Sequence, residues 1–329
     1  MYNVFYVKKS FIPILFTFFL IFQSNSIYPQ NLNQTKLNSL ISIGNLSFKE
    51  GNYNNAVEYY SQALILDPYN ADLYFKRAES FANLGKYNQS IYDYSQAVKI
   101  NPEFYRAYIQ RGNAYYKIRD FNQAIADFTS AISLNKDDFT PYYNRGISNM
   151  MLGNFQKAID DYTIALQLNP NYSDSYINRG ISYVNIDNFD AAIRDLTQAA
   201  SLSPDKPVIY YNRGIAFYKT NNINQALSDL SYAIYLYPQY ADAYIARGTI
   251  YSTLNNYSKA IEDYTAALNI NPYKAEAYYN RGIAYKNIGR GDLAMDDFNR
   301  ACQFNRSLCT LNQILLNIWF KLHKISLPF

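Results

Sequence analysis

The sequence predicts an all-α solenoid of eight 34-residue helix-turn-helix repeats, and three observations support this. A motif pairing Arg with Gly recurs as YYNRGISN from Tyr142, YYNRGIAF from Tyr210 and YYNRGIAY from Tyr278, with INRG from Ile177 and IARG from Ile245 halfway between. Small and aromatic residues recur inside each period at spacings of three and four, which mark one face of a helix. The period continues without insertion from residue 37 to residue 308.

The N-terminal segment has a different composition from the repeats. Lys8 and Lys9 precede the apolar run FIPILFTFFLIF, which is followed by Ser24 and Ser26. As a helix this run would span ~18 Å, which is shorter than the ~30 Å core of a bilayer. We therefore predict a cleaved signal peptide over residues 1–26 and an exported protein, periplasmic, luminal or extracellular. The alternative is an uncleaved membrane anchor through residues 4–22. Residues 27–36 are predicted to be a linker.

Each repeat is predicted to form two packed helices. In the first helix, position 4 is Tyr in seven repeats, position 8 is Gly or Ala, and position 11 is aromatic in six. In the second, position 20 is Ala except at Ser90, position 24 is aromatic or Leu, and position 27 is Ala throughout. Small residues at 8 and 20 let the helices approach closely, and the aromatic residues fill the space around them. The repeats are 37–70, 71–104, 105–138, 139–172, 173–206, 207–240, 241–274 and 275–308.

Two signals delimit the helices. Position 15 is Gly51, Gly85, Gly153 or Gly289 in four repeats, which predicts a left-handed residue after the first helix. Position 32 is Pro in six repeats, which predicts the end of the second helix. Each hairpin leaves an apolar face that only the next hairpin can cover, so the copies must stack.

This pattern of Gly or Ala at 8, aromatic residues at 11 and 24, Ala at 20 and 27 and Pro at 32 resembles the tetratricopeptide repeat family, over residues 37–308. The resemblance implies a right-handed superhelix whose first helices line a concave groove. It implies the fold more strongly than the function.

A charged pair recurs with the repeat. Position 7 is Arg and position 23 is Asp in repeats 2 to 8, whereas repeat 1 has Ile43 and Tyr59 instead. Because both charges vanish together, we predict structural ion pairs within each repeat, with a track of Arg side chains for anions as the alternative. The predicted pairs include Arg145 with Asp161, Arg179 with Asp195, and Arg213 with Asp229.

The resemblance also implies that positions 2, 5, 6, 9, 12 and 13 face the groove. Position 6 is Asn144, Asn178, Asn212 and Asn280 in four repeats, and a row of amides can pair with the backbone of an extended peptide. The alternative is that Asn is merely frequent in this chain. The flanking groove residues are predicted to be Tyr143 and Tyr211 at position 5 and Ile147, Ile181 and Ile215 at position 9. Positions 5 and 9 carry no Lys or Arg, so the family's two-lysine carboxylate clamp is not expected.

Other chemistry is scarce. The only His is His323, which leaves no Ser-His or Cys-His arrangement within the repeats and no metal-ligand cluster. Cys302 and Cys309 would form either a disulfide or two buried thiols. Residues 309–329 are predicted to form a capping helix, with a membrane-surface helix as the alternative. The acidic residues all lie between Glu50 and Asp297, which argues against a nucleic-acid partner.

We therefore expect a scaffold without catalytic activity or cofactor that binds an extended peptide of a partner protein. The alternatives are an accessory subunit that recruits an enzyme, such as a glycosyltransferase, and a membrane-tethered assembly factor. The sequence does not predict an oligomeric state.

Overall fold

The computed structural model describes residues 32–309, and within this range the chain forms sixteen α-helices, one 3-10 helix at Arg306–Leu308 and no strand. The all-α prediction is confirmed. The expected signal peptide and nearly all of the expected capping segment lie outside the described residues. The first helices of the repeats are α1 (32–49), α3 (Ala71–Asn83), α5 (Tyr105–Lys117), α7 (Phe139–Met151), α9 (Ser173–Asn185), α11 (Pro207–Lys219), α13 (Ala241–Thr253) and α15 (Ala275–Asn287). The second helices are α2 (Tyr53–Leu66), α4 (Tyr87–Ile100), α6 (Phe121–Leu134), α8 (Phe155–Leu168), α10 (Phe189–Leu202), α12 (Ile223–Leu236), α14 (Tyr257–Ile270) and α16 (Gly291–Phe304).

The chain divides into two compact units, residues 1–148 and residues 149–329. In the first unit α2 packs on α3, α3 on α4, α4 on α5 and α5 on α6, and α3 also touches α5. In the second unit the same order of contacts runs from α8 to α16, and the first helices α9, α11, α13 and α15 also touch one another in succession. Neighbouring first helices therefore share a face within each unit. Helix α1 already covers residues 32–36, which the sequence analysis assigned to a linker.

The small residues lie where the two helices of a repeat cross. A Cβ added to Gly112 would lie 2.7 Å from Cε1 of Phe128, and one added to Gly180 would lie 2.8 Å from Cγ of Leu196. Both contacts join position 8 to position 24 of the same repeat. The Ala at position 27 is fully buried in all eight repeats. Core side chains larger than these would force the helices apart.

Position 15 is left-handed in every repeat, including the four that lack Gly. Its φ is 72° to 79° at Gly51, Gly85, Gly153 and Gly289, and it is 65° at Arg119. The remaining three residues are Asp187, Asn221 and Asn255, with φ between 57° and 63°. The N–H groups at positions 15 and 16 bond to the carbonyls at positions 12 and 11, as in Gly85 to Ala82 and Lys86 to Phe81. This is the Schellman arrangement, which satisfies the last carbonyls of the helix.

The second helices end at a non-helical residue at position 31, with φ between −124° and −145°, whether or not Pro follows. Asn169, before Pro170, has φ −135°, and Asn135, before Lys136, has φ −144°. At Asn135 the side-chain Oδ1 accepts from the backbone N–H of Asp137, a turn that competes with further helix. An Asn side chain therefore ends the helix where the expected Pro is missing.

Candidate functional site

The repeated Arg forms a two-pronged pair with the Asp of its own repeat. Nε of Arg213 donates to Oδ2 of Asp229 at 2.7 Å, and Nη2 donates to Oδ1 at 2.9 Å. Arg179 and Asp195 have the same geometry, at 2.6 and 2.9 Å. Hydrogen bonding to Asp229 raises the pKa of Arg213, and burial opposes this rise. The pairing therefore lies within one repeat.

The third predicted pair, Arg145 with Asp161, involves residues of different units. In the first unit, Nη1 of Arg145 donates to Oγ1 of Thr129 at 3.0 Å. In the second, the buried Asn149 donates through Nδ2 to Oδ2 of Asp161 at 3.2 Å. This bond explains why position 11 can be Asn in repeat 4, because its amide completes the hydrogen bonding of a buried carboxylate.

Each Arg also contacts the preceding repeat, a contact that the sequence analysis missed. Its Nη1 donates to a hydroxyl at position 25 of that preceding repeat at 2.9 to 3.2 Å. Within its own repeat, the guanidinium lies 5.4 to 5.8 Å from the ring centre of the Tyr at position 4. The available signal was that position 25 is Ser or Thr in repeats 1 to 7, and Asn299 in repeat 8. These arginines thus link the repeats.

In the first unit, the amide of Asn144 belongs to a chain of side-chain hydrogen bonds. Nδ2 of Asn144 donates to Oδ1 of Asn113 at 3.2 Å, and Nδ2 of Asn113 donates to Oε1 of Gln110 at 3.3 Å. The chain consists of half-buried side chains, joins α5 to α7 and borders two clefts. One cleft contains the predicted Ile147 together with Tyr116. Gln110 and Asn113 were not among the predicted site residues.

In the second unit the predicted amides are half-buried, and at least one of them is engaged by its own helix. Nδ2 of Asn212 donates to the carbonyl of Val208 at 2.8 Å. Asn178 and Asn280 are likewise half-buried, as are Tyr143 of the first unit and Ile181 of the second. Because Asn144 lies in the first unit and the other amides in the second, a continuous row of amides stays a prediction.

The second unit contains an open cleft of about 200 Å³ between the first helices α11, α13 and α15. The predicted residues Tyr211 and Ile215 both line it. Position 6 of the middle helix is Ala246, whereas four other repeats have Asn there, and the short side chain leaves room in the groove. The other lining residues are Tyr218, Lys219, Asp242, Ile245, Thr249, Ile250 and Glu276.

The cleft has an apolar floor and charged edges. Asp242 pairs with Nζ of Lys274, whereas Glu276 is exposed and has no ion pair within residues 32–309. Burial raises the pKa of the Tyr211 hydroxyl, and the negative charges of Asp242 and Glu276 raise it further. The ring of Tyr211 packs on Tyr240 with centres 5.0 Å apart. A preformed apolar cleft with a few polar groups at its edge is typical of a ligand site.

The remaining candidates from the sequence are the two cysteines, a metal site, a membrane-spanning helix and His323. Cys302 and Cys309 are joined in a disulfide. Across residues 32–309, no group of three or more His, Cys, Asp or Glu side chains is placed to hold a metal ion. No helix in the same range is both long and apolar enough to span a bilayer. His323 lies outside this range.

Comparison with known families gives a uniform result. Models described as tetratricopeptide repeat match residues 105–138, 140–172 and 275–308, and a model described as TPR repeat matches residues 44–85, 79–118, 182–221 and 248–289. Together these matches cover well over half of the chain. None of the curated proteins matches the sequence.

Three solved structures with the same fold are 16% to 19% identical to this chain. A tetratricopeptide repeat protein from Parabacteroides merdae ATCC 43184 is 19% identical with a TM-score of 0.61, covering 74% of this chain and 98% of its own. PilF of Pseudomonas aeruginosa is 16% identical with a TM-score of 0.54, covering 61% and 92%. A chain of the APC/C hetero-tetramer Cut9-Hcn1 is 18% identical with a TM-score of 0.58, and the match covers 83% of this chain but 55% of that one. At these identities the likeness shows the fold alone.

Proposed function

Because the chain belongs to the tetratricopeptide repeat family, we propose that it is a non-catalytic scaffold that binds an extended segment of a partner protein on the exposed faces of its first helices. The observation that carries this proposal is the cleft between α11, α13 and α15. Its floor consists of Ile215, Ile245 and Ala246, which are side chains that two successive repeats place on one face. An extended segment presents alternate side chains to such a surface.

The amides of the first unit supply a second kind of contact. The hydrogen-bonded chain through Gln110, Asn113 and Asn144 ends in an N–H donor at Gln110 Nε2 and a carbonyl acceptor at Asn144 Oδ1. A peptide backbone offers one acceptor and one donor per residue, so both ends of the chain can bind it without reading its sequence. Each unit, taken by itself, therefore offers a surface that suits an extended segment.

The proposal is tested by filling the cleft without disturbing the fold. Position 6 already holds Lys76 in repeat 2, so Ala246→Lys introduces a side chain that the repeat accommodates there. After the native partner is captured by crosslinking and purified, we expect Ala246→Lys to weaken its affinity by more than tenfold. Ser42→Lys adds the same side chain at position 6 of repeat 1, away from the cleft, and should leave the affinity unchanged. Equal affinities for the two variants would refute the proposal.

The amide contribution has its own test. In the triple variant Asn144→Ala, Asn178→Ala and Asn212→Ala, three hydrogen bonds to a neutral partner would be lost at ~0.5 to 1.5 kcal/mol each, more than tenfold in affinity. A matched triple variant changes three exposed Asn at position 18, on the second helices, namely Asn88, Asn122 and Asn224. Equal binding by both triple variants would remove the amides from the site.

We further propose that the protein is exported, on the strength of the charged and apolar N-terminal segment. The mature chain would then begin near Ile27. N-terminal sequencing of the native protein tests this. Finding Met1 in a soluble cytoplasmic fraction would overturn the proposal, and finding it in a membrane fraction would favour the uncleaved anchor.

A further inference from the structure

The charges around the second-unit cleft are unevenly distributed along the helices. Asp242 and Glu276 both occupy position 2, in the first turns of α13 and α15, and Lys219 occupies position 13, at the end of α11. Because these first helices run in the same direction, eleven residues at 1.5 Å each separate the two edges by ~17 Å. This exceeds the Debye length of ~10 Å at 0.1 M salt. Lys219 therefore does not neutralise the acidic edge.

At the acidic edge, Glu276 carries the uncompensated charge. Lys274 Nζ pairs with Asp242, whereas the exposed Glu276 has no ion pair within the described residues. The negative potential extends into the cleft, because Asp242 and Glu276 raise the pKa of the half-buried Tyr211 beyond the effect of burial. On α14, burial raises the pKa of Tyr264 to about 12, a hydrogen bond with Thr249 opposes this rise, and the charge of Glu276 adds to it.

The side chains on the floor of the cleft determine which kind of partner side chain binds there. Ile215, Ile245 and Ala246 present no hydrogen-bonding side chain, and the ring of Tyr211 lies beside them. A polar side chain placed there would lose its water without gaining a partner, which costs free energy. The floor therefore favours a bulky apolar side chain, and the missing amide at Ala246 provides the room for it.

We propose that the cleft takes an extended peptide segment in which a bulky apolar side chain, seated over Ile215, Ile245 and Ala246, is adjacent to a Lys or Arg whose charge lies against Glu276. This inference rests on the proposed peptide-binding function and names the chemistry of the partner. The apolar side chain supplies most of the affinity, because it is removed from water. An exposed ion pair changes the affinity only a few-fold, so the basic side chain contributes mainly to the choice between partner segments.

The test uses three fluorescein-labelled peptides of ten residues that share a central Leu-Phe pair and differ at the next residue, which is Lys, Gln or Glu. Binding is measured by fluorescence anisotropy with the full chain. We expect the Lys peptide to bind about threefold to fivefold more tightly than the Gln peptide and about tenfold more tightly than the Glu peptide. The preference should shrink at 0.5 M salt, because the pair is exposed.

Two variants separate this inference from the function on which it rests. Glu276→Lys should reverse the order of the Lys and Glu peptides, whereas Glu262→Lys, at an outward-facing position of α14, should leave the order unchanged. Ala246→Lys should weaken all three peptides. If Ala246→Lys weakens binding but Glu276→Lys does not change the order, the basic partner is refuted and the groove stands. If no peptide binds, or if Ala246→Lys leaves the affinity for all three peptides unchanged, the cleft is not the binding site.

Discussion

The contact between Arg213 and Asp229 gives the most direct test of how the repeats are held together. The side chains are 16% and 10% exposed, so both charges are largely removed from water. Asp229→Leu would delete two charge-assisted hydrogen bonds and leave the guanidinium buried against an apolar group. Breaking a buried pair in this way costs about 3 to 5 kcal/mol. Because Arg213 keeps its bond to Thr197 and some access to water, we expect about 3 kcal/mol.

The double variant Arg213→Met with Asp229→Leu should recover most of this loss. Two apolar side chains of similar size avoid the cost of desolvating two charges, and such replacements of buried pairs are often neutral or stabilising. The double variant does lose the bond to Thr197 and the contact with Tyr210. We therefore expect it to lie within about 1 kcal/mol of the parent, which implies a coupling energy of about 2 kcal/mol or more.

The assay must be local, because repeat arrays of this length need not unfold in one step. Urea unfolding followed by circular dichroism gives the global stability, and hydrogen exchange of amides in α11 and α12 gives the local stability. The control is Glu79→Gln, which breaks a looser pair with Arg106 at 3.6 Å, where the Arg is 68% exposed. That variant should cost less than about 0.5 kcal/mol.

The reasoning would be wrong if Asp229→Leu cost no more than the Glu79→Gln control. It would also be wrong if the two single losses simply added in the double variant, because charges in contact should show coupling. Either result would mean that Arg213 is held by its stem and by Thr197 and not by the carboxylate.

Three further predictions concern single sites and can be checked by urea unfolding with hydrogen exchange. Arg119→Gly should stabilise the chain by about 1 kcal/mol, because the φ of Arg119 is 65° and Gly adopts this conformation without strain. Gly85→Ala should destabilise the chain by a similar amount, although the added Cβ meets no neighbouring atom. Effects of the opposite sign would refute the account of position 15. Ser175→Ala should stabilise by about 1 kcal/mol, because this buried hydroxyl has no hydrogen-bond partner in the described part of the chain; a loss of stability would reveal a partner. Replacing Cys302 and Cys309 by Ser should weaken protection at the end of α16 by about 2 kcal/mol, as expected for so short a loop, and unchanged protection would contradict this.

The helices and their pairing were predictable because the same packing contacts recur in every repeat. Gly at position 8 contacts the side chain at position 24, and a larger residue there would clash, so the pattern recurs wherever the contact does. The pairing of Arg with the Asp of its own repeat was predictable for a related reason. Repeat 1 lacks both charges, and a chain that paired across repeats would leave Arg77 alone.

The other details were not predictable, because the residues involved have ordinary uses. The recurrence of Ser or Thr at position 25 indicates a shared contact, but it does not identify the next repeat's Arg as the partner. The left-handed backbone at Arg119 costs only about 1 to 2 kcal/mol, less than the packing of two helices provides. Tertiary contacts therefore impose that turn on residues that do not favour it.

The candidate site lies at positions where the sequences of the repeats differ, and packing explains why. A residue that is the same in all repeats makes a packing contact that every repeat needs. A residue that faces the groove can vary, because no neighbouring helix packs on it. The predicted groove residues are the frequent Asn at position 6 with the flanking residues at positions 5 and 9, of which Tyr211 and Ile215 line the cleft. In the second unit, however, Asn212 bonds to Val208 of its own helix, and the cleft opens at Ala246, where the amide is absent. A missing side chain creates space that a partner can fill, so an exception within the groove positions is a stronger indication of a binding site than the majority residue.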